Sequence, residues 1–286
     1  MKSEKRRSRQ IRPKISLLHA TFHREGGPLE VKETWLGLAN RPDLIEYIFA
    51  MDADDGATLF LTKGHTRVIN PSGDGHVTAV RNWNAAAAVA GGDLLMVIAD
   101  DLFPPQGWDT ALTEIVGSLD TSKVSFAIKL TDSPSKDDTL IQHPVISRGF
   151  YQRHGLFSES YAGVYCDNDI TLRAFWRSAI LDGRSLILDH RSPTANSSLE
   201  YSESQRRLNT DQEYKNGKTI FDASWSRRQR VARIGIVPVA SGVQLTAWKL
   251  RGFRWKSCVM ESVAYPFRGV KWVLLKLISS YRLSHQ

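Results

Sequence analysis

The stretch from Val80 to Asp101 constrains the fold of this chain more than any other. It begins with small residues suited to a closely packed helix and continues through Gly91 and Gly92. An apolar run follows and ends in Asp100 and Asp101. This order is typical of a helix, a tight turn and a buried strand. Functional groups of open α/β sheets stand just beyond the carboxyl ends of the strands, so we expect the two acids at such an edge.

Other segments of the chain alternate between strand-like and helix-like patterns, which predicts a mainly parallel α/β sheet. Strands are predicted at 14–22, 45–51, 76–80, 93–99, 124–130 and 185–188. Besides the small-residue helix, helices are predicted at 29–38, 108–119 and 167–181. The polar residues 131–139 are predicted to form a mobile loop, and 192–219 to be rich in loops.

The chain has 286 residues and a net charge of +8, with the basic excess at its two ends. This length can bury a full core, and one domain with an appendage is expected. We predict a basic leader at 1–13, a main α/β domain at 14–246 and an amphipathic helical segment at 247–286. Basic ends favour anionic partners such as phosphate-bearing substrates, acidic lipid or nucleic acid. The leader fits a solvated tail equally well.

The segment after Ala247 interleaves aromatic residues with Lys and Arg, and 270–283 has amphipathic helical spacing. This pattern suits an interfacial helix on anionic lipid. It also suits a helix packed on the sheet with its basic side chains reaching outward. No signal peptide and no apolar run of about 20 residues is present. Only Cys166 and Cys258 occur, too few for a disulfide framework. We expect a cytoplasmic protein, with peripheral contact at the inner face of a membrane left open.

The adjacent carboxylates of Asp100 and Asp101 predict a site for a divalent cation that also holds phosphates. Mg²⁺ prefers hard oxygen ligands and is commonly bound by carboxylates, substrate phosphates and water. The alternative is a turn in which the acids only end the strand.

Five short motifs together resemble the family 2 glycosyltransferases, nucleotide-sugar enzymes of the GT-A fold. In chain order they are 20–24 (ATFHR), 52–55 (DADD), 80–82 (VRN), 99–101 (ADD) and 166–173 (CDNDITLR). The resemblance covers about residues 14–195. It departs from the family at Ala99, where the metal motif usually has its first acid, and at Cys166, where a Glu usually precedes the base. The Gln-x-x-Arg-Trp motif of processive synthases is absent, which favours a transferase that adds single sugars.

The resemblance implies a GT-A fold and transfer of a sugar from a nucleoside diphosphate sugar to a hydroxyl acceptor on a surface glycan or glycolipid. It also implies inversion at the anomeric carbon and a divalent metal, Mg²⁺ or Mn²⁺. The residues that would carry these roles are Asp167 as catalytic base, Thr21, Asp52, Asp54, Arg81 and Asp100 as nucleotide-sugar contacts, and Asp100, Asp101 and His190 as metal ligands.

Each of these residues also has a structural interpretation. Asp167 suits a helix N-cap, for which Asp is favoured. Asp52 and Asp54 can be aligned to the same nucleotide contact. Arg81 fits a plain surface position, and His190 fits a structural role as well as that of a metal ligand.

Two other functions remain open from the sequence. A sugar nucleotidyltransferase would use a similar sheet, but its class usually carries a Gly-rich loop with a basic residue, where this chain has only Gly26 and Gly27 before Pro28. A non-enzymatic protein that binds anionic surfaces fits the net charge. No nucleic-acid-binding motif is evident, so nucleic acid is not expected as a partner. The lack of a Gly-x-Ser-x-Gly elbow disfavours a serine hydrolase.

Overall fold

The computed structural model describes residues 13–23, 27–132, 140–193, 198–225, 234–239 and 242–247, the last two ranges as backbone only. The strands are β1 (Ile15–Ala20), β2 (Ile45–Asp52), β3 (Arg67–Asn70), β4 (Leu94–Ile98), β5 (Leu102–Phe103), β6 (Phe126–Thr131), β7 (Val145–Ser147), β8 (Ala179–Ile187), β9 (Asp189–His190), β10 (Ile234–Val239) and β11 (Gly242–Ala247). The helices are α1 (Pro28–Gly37), α2 (Gly56–Leu61), α3 (Ala79–Val89), α4 (Trp108–Val116), α5 (Arg148–His154), α6 (Cys166–Arg177), α7 (Glu203–Leu208) and α8 (Asp211–Ser224), with a 3-10 turn at Pro42–Leu44.

One sheet organises the described chain, in the strand order β10-β11-β8-β6-β7-β4-β1-β2-β3. Strand β1 runs parallel to β2 and β4, β2 to β3, and β6 to β8, whereas β7 lies antiparallel between β4 and β6. Parallel neighbours need long crossover connections, and α1 and α3 lie in two of them. The predicted mainly parallel α/β sheet is confirmed. A second, small sheet pairs β5 with β9.

The central strands β1, β4 and β6 are buried on both of their faces, as expected for strands covered by helices. Successive strand residues point to opposite faces. In β1, Leu18 therefore joins one hydrophobic cluster and Leu17 the other. Ala86 and Ala87 of α3 pack in the first cluster, while the buried Trp35 and Trp108 fill the second. The alanine-rich sequence thus lets α3 lie close against the strands that carry the acids.

The chain turns from α3 into β4 against the backbone of β1. The Gly92 N–H donates to Ser16 Oγ at 2.8 Å. A Cβ at Gly92 would lie 2.5 Å from Ser16 Oγ and 3.0 Å from the Lys14 carbonyl oxygen, closer than real contacts allow. The glycine is therefore required for the close approach of β1 and β4.

We expect Gly92→Ala to lower the free energy of unfolding by about 1–3 kcal/mol, because the methyl group forces β1 and β4 apart. Urea denaturation measures this change. Gly91→Ala is the matched control, since its Cβ would meet only side-chain atoms of Glu46 and Lys14 at 3.7–3.8 Å. Equal stability of the two variants would contradict the assigned packing.

Three predicted elements differ from the structure because tertiary pairing overrides the local pattern. The strand predicted at 76–80 is absent, and its place beside β2 is taken by β3, while Ala79 already begins α3. The helix predicted at 167–181 ends at Arg177, and the apolar residues from Ala179 pair with β6 as the first part of β8. The strand predicted at 185–188 is the end of that same β8.

The prediction that 192–219 is rich in loops is wrong for residues 203–219. This region holds α7 and the first part of α8. Ser202 and Thr210 cap the two helices through their side-chain oxygens, and Gln205 completes a capping box with Ser202. These capping signals were present in the sequence. The predicted loop residues 133–139, the leader up to Arg12 and the amphipathic segment from Trp248 lie outside the described residues.

Candidate functional site

Residues 98–102, which we call the acid turn, connect β4 to β5 and carry the two predicted acids. The Leu102 N–H donates to the Ala99 carbonyl at 3.2 Å and closes the turn. Two indoles hold its ends: Trp83 Nε1 donates to the Ile98 carbonyl at 3.0 Å, and Trp35 Nε1 donates to the Leu102 carbonyl at 2.9 Å. Helices on both faces of the sheet therefore fix the backbone of the acid turn.

Asp101 faces His190, because β9 pairs with β5 and sets His190 opposite Leu102. The Asp101 carboxylate Oδ2 lies 3.5 Å from His190 Nε2 and accepts a hydrogen bond from Gln205 Nε2 at 2.7 Å. Burial opposes ionisation of this acid, but the hydrogen bond and charge of His190 outweigh it and lower the pKa of Asp101 to about 2. Burial likewise opposes the charged form of His190, yet Asp101 raises the pKa of that histidine.

The surroundings of Asp101 and His190 fit a divalent cation that is shared with phosphate oxygens. His190 Nδ1 lies 3.1 Å from the Asp132 carbonyl oxygen. A carbonyl only accepts, so Nδ1 donates and Nε2 faces Asp101, as in histidines that bind metals. No group of three or more His, Cys, Asp or Glu side chains with metal-binding geometry occurs in the part of the chain that is described. Asp101 and His190 would thus supply two ligands, and Asp100, phosphates and water would supply the rest.

Asp100, the other predicted ligand, turns to a different partner. Its Oδ1 lies 2.9 Å from Nε2 of His19, whose Nδ1 lies 2.7 Å from the hydroxyl of Tyr47. His19 is completely buried on β1, and Tyr47 is buried on β2. The sequence analysis did not select either residue. The available signal was a histidine within an otherwise apolar strand.

Asp52 ends β2 as the centre of a hydrogen-bond network. Its side chain is buried, and Oδ2 accepts from Thr78 Oγ1 at 2.7 Å. Oδ1 accepts from Arg81 Nη2 at 2.9 Å and from Asn82 Nδ2 at 3.0 Å. The carboxylate of Asp52 therefore fixes the first turn of α3 and orients Arg81, whose side chain is 41% exposed.

Thr21 and Asp54 follow the carboxyl ends of β1 and β2, at the same edge of the sheet as the acid turn. Thr21 is buried, and its Oγ1 has no hydrogen-bond partner among the described residues. Asp54 is exposed, and the hydrogen bond from Ser72 Oγ at 2.6 Å lowers its pKa. The structure thus brings the five predicted nucleotide-sugar contacts to one edge.

Asp167 lies in the first turn of α6. The position that caps this helix is Tyr165, which has a left-handed backbone with φ 70°, so the alternative that Asp167 is the N-cap is wrong. The Asn168 N–H donates to Asp167 Oδ1 at 2.8 Å. This places a partly buried carboxylate near the positive end of the helix, where negative charge is stabilised.

A buried ion pair within α6, between Arg173 and Asp169, holds this helix in place. Arg173 Nε donates to Asp169 Oδ2 at 2.7 Å, and Trp225 Nε1 donates to Asp169 Oδ1 at 2.8 Å. The guanidinium also donates to the carbonyls of His154 and Leu156, at 2.8 and 2.7 Å. The orientation of the Asp167 turn therefore depends on this network.

Helices α7 and α8 connect the acid turn to the start of α6. Gln205 of α7 bonds Asp101, while a Cβ at Gly163, just before α6, would overlap the Leu208 side chain. Tyr214 of α8 has a raised pKa, because of its burial and the nearby charge of Asp167. The sequence analysis missed Gln205, because its partner is more than a hundred residues away.

Further contacts join α7 to the end of β1. His23 Nδ1 lies 3.3 Å from Glu203 Oε2. The guanidinium of Arg207 lies 4.5 Å from the ring centre of Phe22, which stacks on the His23 ring. Helix α7 therefore contacts the acid turn, the end of β1 and the residues just before α6.

Comparisons with known proteins show likeness in structure alone. No family model matches the chain, and no curated protein matches it. S. aureus TarS 1–349 in complex with UDP is similar over 75% of this chain and 73% of that one, with 13% identity and a TM-score of 0.50. Another crystal structure of S. aureus TarS 1–349 gives 12% identity and the same TM-score, over 74% of this chain and 73% of that one.

A mannosyltransferase from Pyrobaculum calidifontis, PcManGT, in complex with GDP-Man and Mn²⁺, is similar over 65% of this chain with 16% identity and a TM-score of 0.49. This chain spans only 59% of that protein's length. In the mainly parallel sheet of this chain, β7 and β11 run antiparallel to their neighbours. The chain has a GT-A fold.

We expect Arg173→Leu to lower the free energy of unfolding of this GT-A protein by about 3–5 kcal/mol, because it leaves the buried Asp169 carboxylate without its cation. Urea denaturation measures the change. Arg177→Leu removes an exposed arginine one turn further along α6, which lies over the ring of Trp225 at 5.6 Å, and should cost less than about 1 kcal/mol. Similar losses in both variants would show that the network does not hold α6.

Proposed function

We propose that this protein is a glycosyltransferase that moves a sugar from a nucleoside diphosphate sugar to a hydroxyl acceptor, with inversion at the anomeric carbon. One observation carries the proposal: in a GT-A fold, Asp101 and His190 face each other beside an edge that also holds Asp52 and Arg81. The five motifs at 20–173 support membership of the family 2 glycosyltransferases.

The donor side of the reaction needs help for the leaving diphosphate, which gains negative charge as the anomeric bond breaks. Asp101 and His190, with Asp100 beside them, would hold a divalent cation, Mg²⁺ or Mn²⁺. When bound, such an ion supplies charge stabilisation to the diphosphate oxygens. The complex of TarS with UDP supports a nucleoside diphosphate as the ligand of this fold.

The nucleoside is assigned to the ends of β1 and β2. Thr21 brings a buried hydroxyl with no partner among the described residues, which is suited to a base or ribose group. Asp54 is an exposed acceptor for hydroxyl or N–H groups. Arg81, held by Asp52, offers a cation to a phosphate or carbonyl oxygen.

Asp167 is assigned as the general base. The attacking hydroxyl of the acceptor must lose its proton, and a carboxylate positioned at a helix start can accept it. The Asn168 N–H bond to Oδ1 helps to orient this carboxylate. The hydroxyl oxygen then forms a bond to the anomeric carbon as the bond to the diphosphate breaks.

The acceptor is assigned to surface glycans or glycolipids on the cytoplasmic side of a membrane. The basic and aromatic sequence from Trp248 supports peripheral contact with anionic lipid. No helix among the described residues is both long and apolar enough to cross a bilayer.

We expect a nucleoside diphosphate sugar together with Mn²⁺ to raise the thermal midpoint of the chain, since ligands that bind only the folded state stabilise it. A panel of UDP and GDP sugars, with and without Mn²⁺, measures the effect. Asp101→Asn should lose the Mn²⁺-dependent part of the shift. Asp189→Asn, an exposed acid on the same short β9 as His190, should keep it. Equal loss of the Mn²⁺-dependent shift in both variants would contradict the assignment of Asp101 as a cation ligand.

We expect Asp167→Asn to reduce kcat by about 10²–10⁴-fold, because the acceptor proton loses its base, while the donor-induced thermal shift stays unchanged. Transfer of a radiolabelled sugar to a glycan acceptor measures the rate. Asp211→Asn, an acid in the first turn of α8, is the control and should transfer at the wild-type rate. Wild-type transfer by Asp167→Asn would contradict the assigned base.

Release of pyrophosphate from a sugar phosphate and a nucleoside triphosphate would instead support a nucleotidyltransferase.

A further inference from the structure

Among the buried polar side chains that the assigned chemistry leaves unused are His19 on β1 and Tyr47 on β2. They are 0% and 7% exposed, and both belong to strands whose other side chains are largely apolar. A buried polar group is costly unless it is hydrogen-bonded. Both ring nitrogens of His19 have a partner, and one of those partners is Asp100 in the acid turn.

The chemistry of the partners fixes the direction of these hydrogen bonds. An ionised carboxylate only accepts, so His19 Nε2 carries a hydrogen and donates it to Asp100 Oδ1 over 2.9 Å. Burial and the charge of Asp100 raise the pKa of Tyr47 well above its ordinary value. The phenol therefore keeps its proton, and its oxygen lies 2.7 Å from Nδ1 of His19. Hydrogen bonds thus connect Tyr47, His19 and Asp100 in a chain.

Strand register fixes the position of this chain of hydrogen bonds in the sheet. His19 lies opposite Phe49 of β2 and opposite Ile98, the last residue of β4. His19 therefore lies beside the end of β4, where the acid turn begins. A slip of one residue would turn the ring to the other face of the sheet, so the register and the contact with Asp100 depend on each other.

We propose that His19, backed by Tyr47, is a positioning residue that fixes the Asp100 carboxylate for binding of a cation and a nucleoside diphosphate at the acid turn. The inference rests on the proposed function, since it assumes a cation site there. His19 occupies Oδ1 of Asp100, and Oδ2 accepts no hydrogen bond from the described residues. One oxygen is thus held by the protein, and the other is left for a ligand.

The division of roles between the two acids follows from their partners. Asp101 is shared with His190 and Gln205. Asp100 is tied to the interior of the sheet through His19. Removing a partner that orients a metal ligand typically lowers metal affinity by about 10–100-fold. Removing a purely structural residue should leave metal affinity unchanged, so the measurement distinguishes the two roles.

The experiment titrates Mn²⁺ into the full chain in the presence of UDP or GDP and follows free Mn²⁺ by electron paramagnetic resonance. His19→Leu should raise the apparent Kd for Mn²⁺ by about 10–100-fold. His19→Gln keeps an amide N–H near the position of Nε2 and should recover most of the affinity. Tyr47→Phe removes only the hydroxyl behind the ring and should raise the Kd by about threefold.

Ser16→Ala is the matched control, because Ser16 is a buried polar residue on the same β1. Its hydroxyl donates to Glu46 at 2.6 Å and accepts from Gly92 at 2.8 Å, at the opposite end of the strand. This variant should lower the thermal midpoint and leave the Kd for Mn²⁺ unchanged.

The outcomes separate this inference from the proposed function. If wild-type protein binds no Mn²⁺ with either nucleotide, both are overturned. If wild type binds but His19→Leu binds as tightly as Ser16→Ala, the positioning role alone is overturned. Should His19→Leu not fold, Tyr47→Phe decides: an unchanged Kd overturns the positioning role, and a raised Kd supports it.

Discussion

The rest of the site depends on how the acid turn is held at the end of β4. Its backbone receives hydrogen bonds from Trp83 on one face of the sheet and from Trp35 on the other. Neither carboxylate relies on solvent alone, since Asp100 is bonded by His19, and Asp101 by Gln205. Two ionised acids that are adjacent in a chain repel each other. Because Asp100 and Asp101 have separate hydrogen-bond partners, both can lie at the same edge of the sheet.

The edge around the acid turn has two halves that come from distant parts of the chain. The ends of β1 and β2 give the half with Thr21, Asp52 and Asp54. The other half is the first turn of α6, which is set by the buried ion pair of Arg173 and Asp169. Helices α7 and α8 lie between the two halves, and the Gln205 side chain links α7 to Asp101.

The fold and the chemistry have different kinds of support. The strand order, together with likeness to TarS at 13% identity, gives the GT-A fold. The proposed reaction rests on side-chain geometry: a histidine whose tautomer is fixed by a backbone carbonyl, facing a carboxylate with a pKa of about 2. That geometry recurs in metal sites because the protein must orient both ligands before the ion arrives.

The sequence by itself determined the elements whose signal is local. The alanine-rich helix, the buried β4 with its terminal acids and the acidic start of α6 all follow from residue pattern, because neighbours in the chain decide helix and strand periods. Tertiary structure decided what depends on distant partners. Ala179 became strand because β6 lies beside it, and His19 reached Asp100 because strand register placed it there. Only the folded chain brings such residues together, since contacts across a sheet leave no local pattern to read.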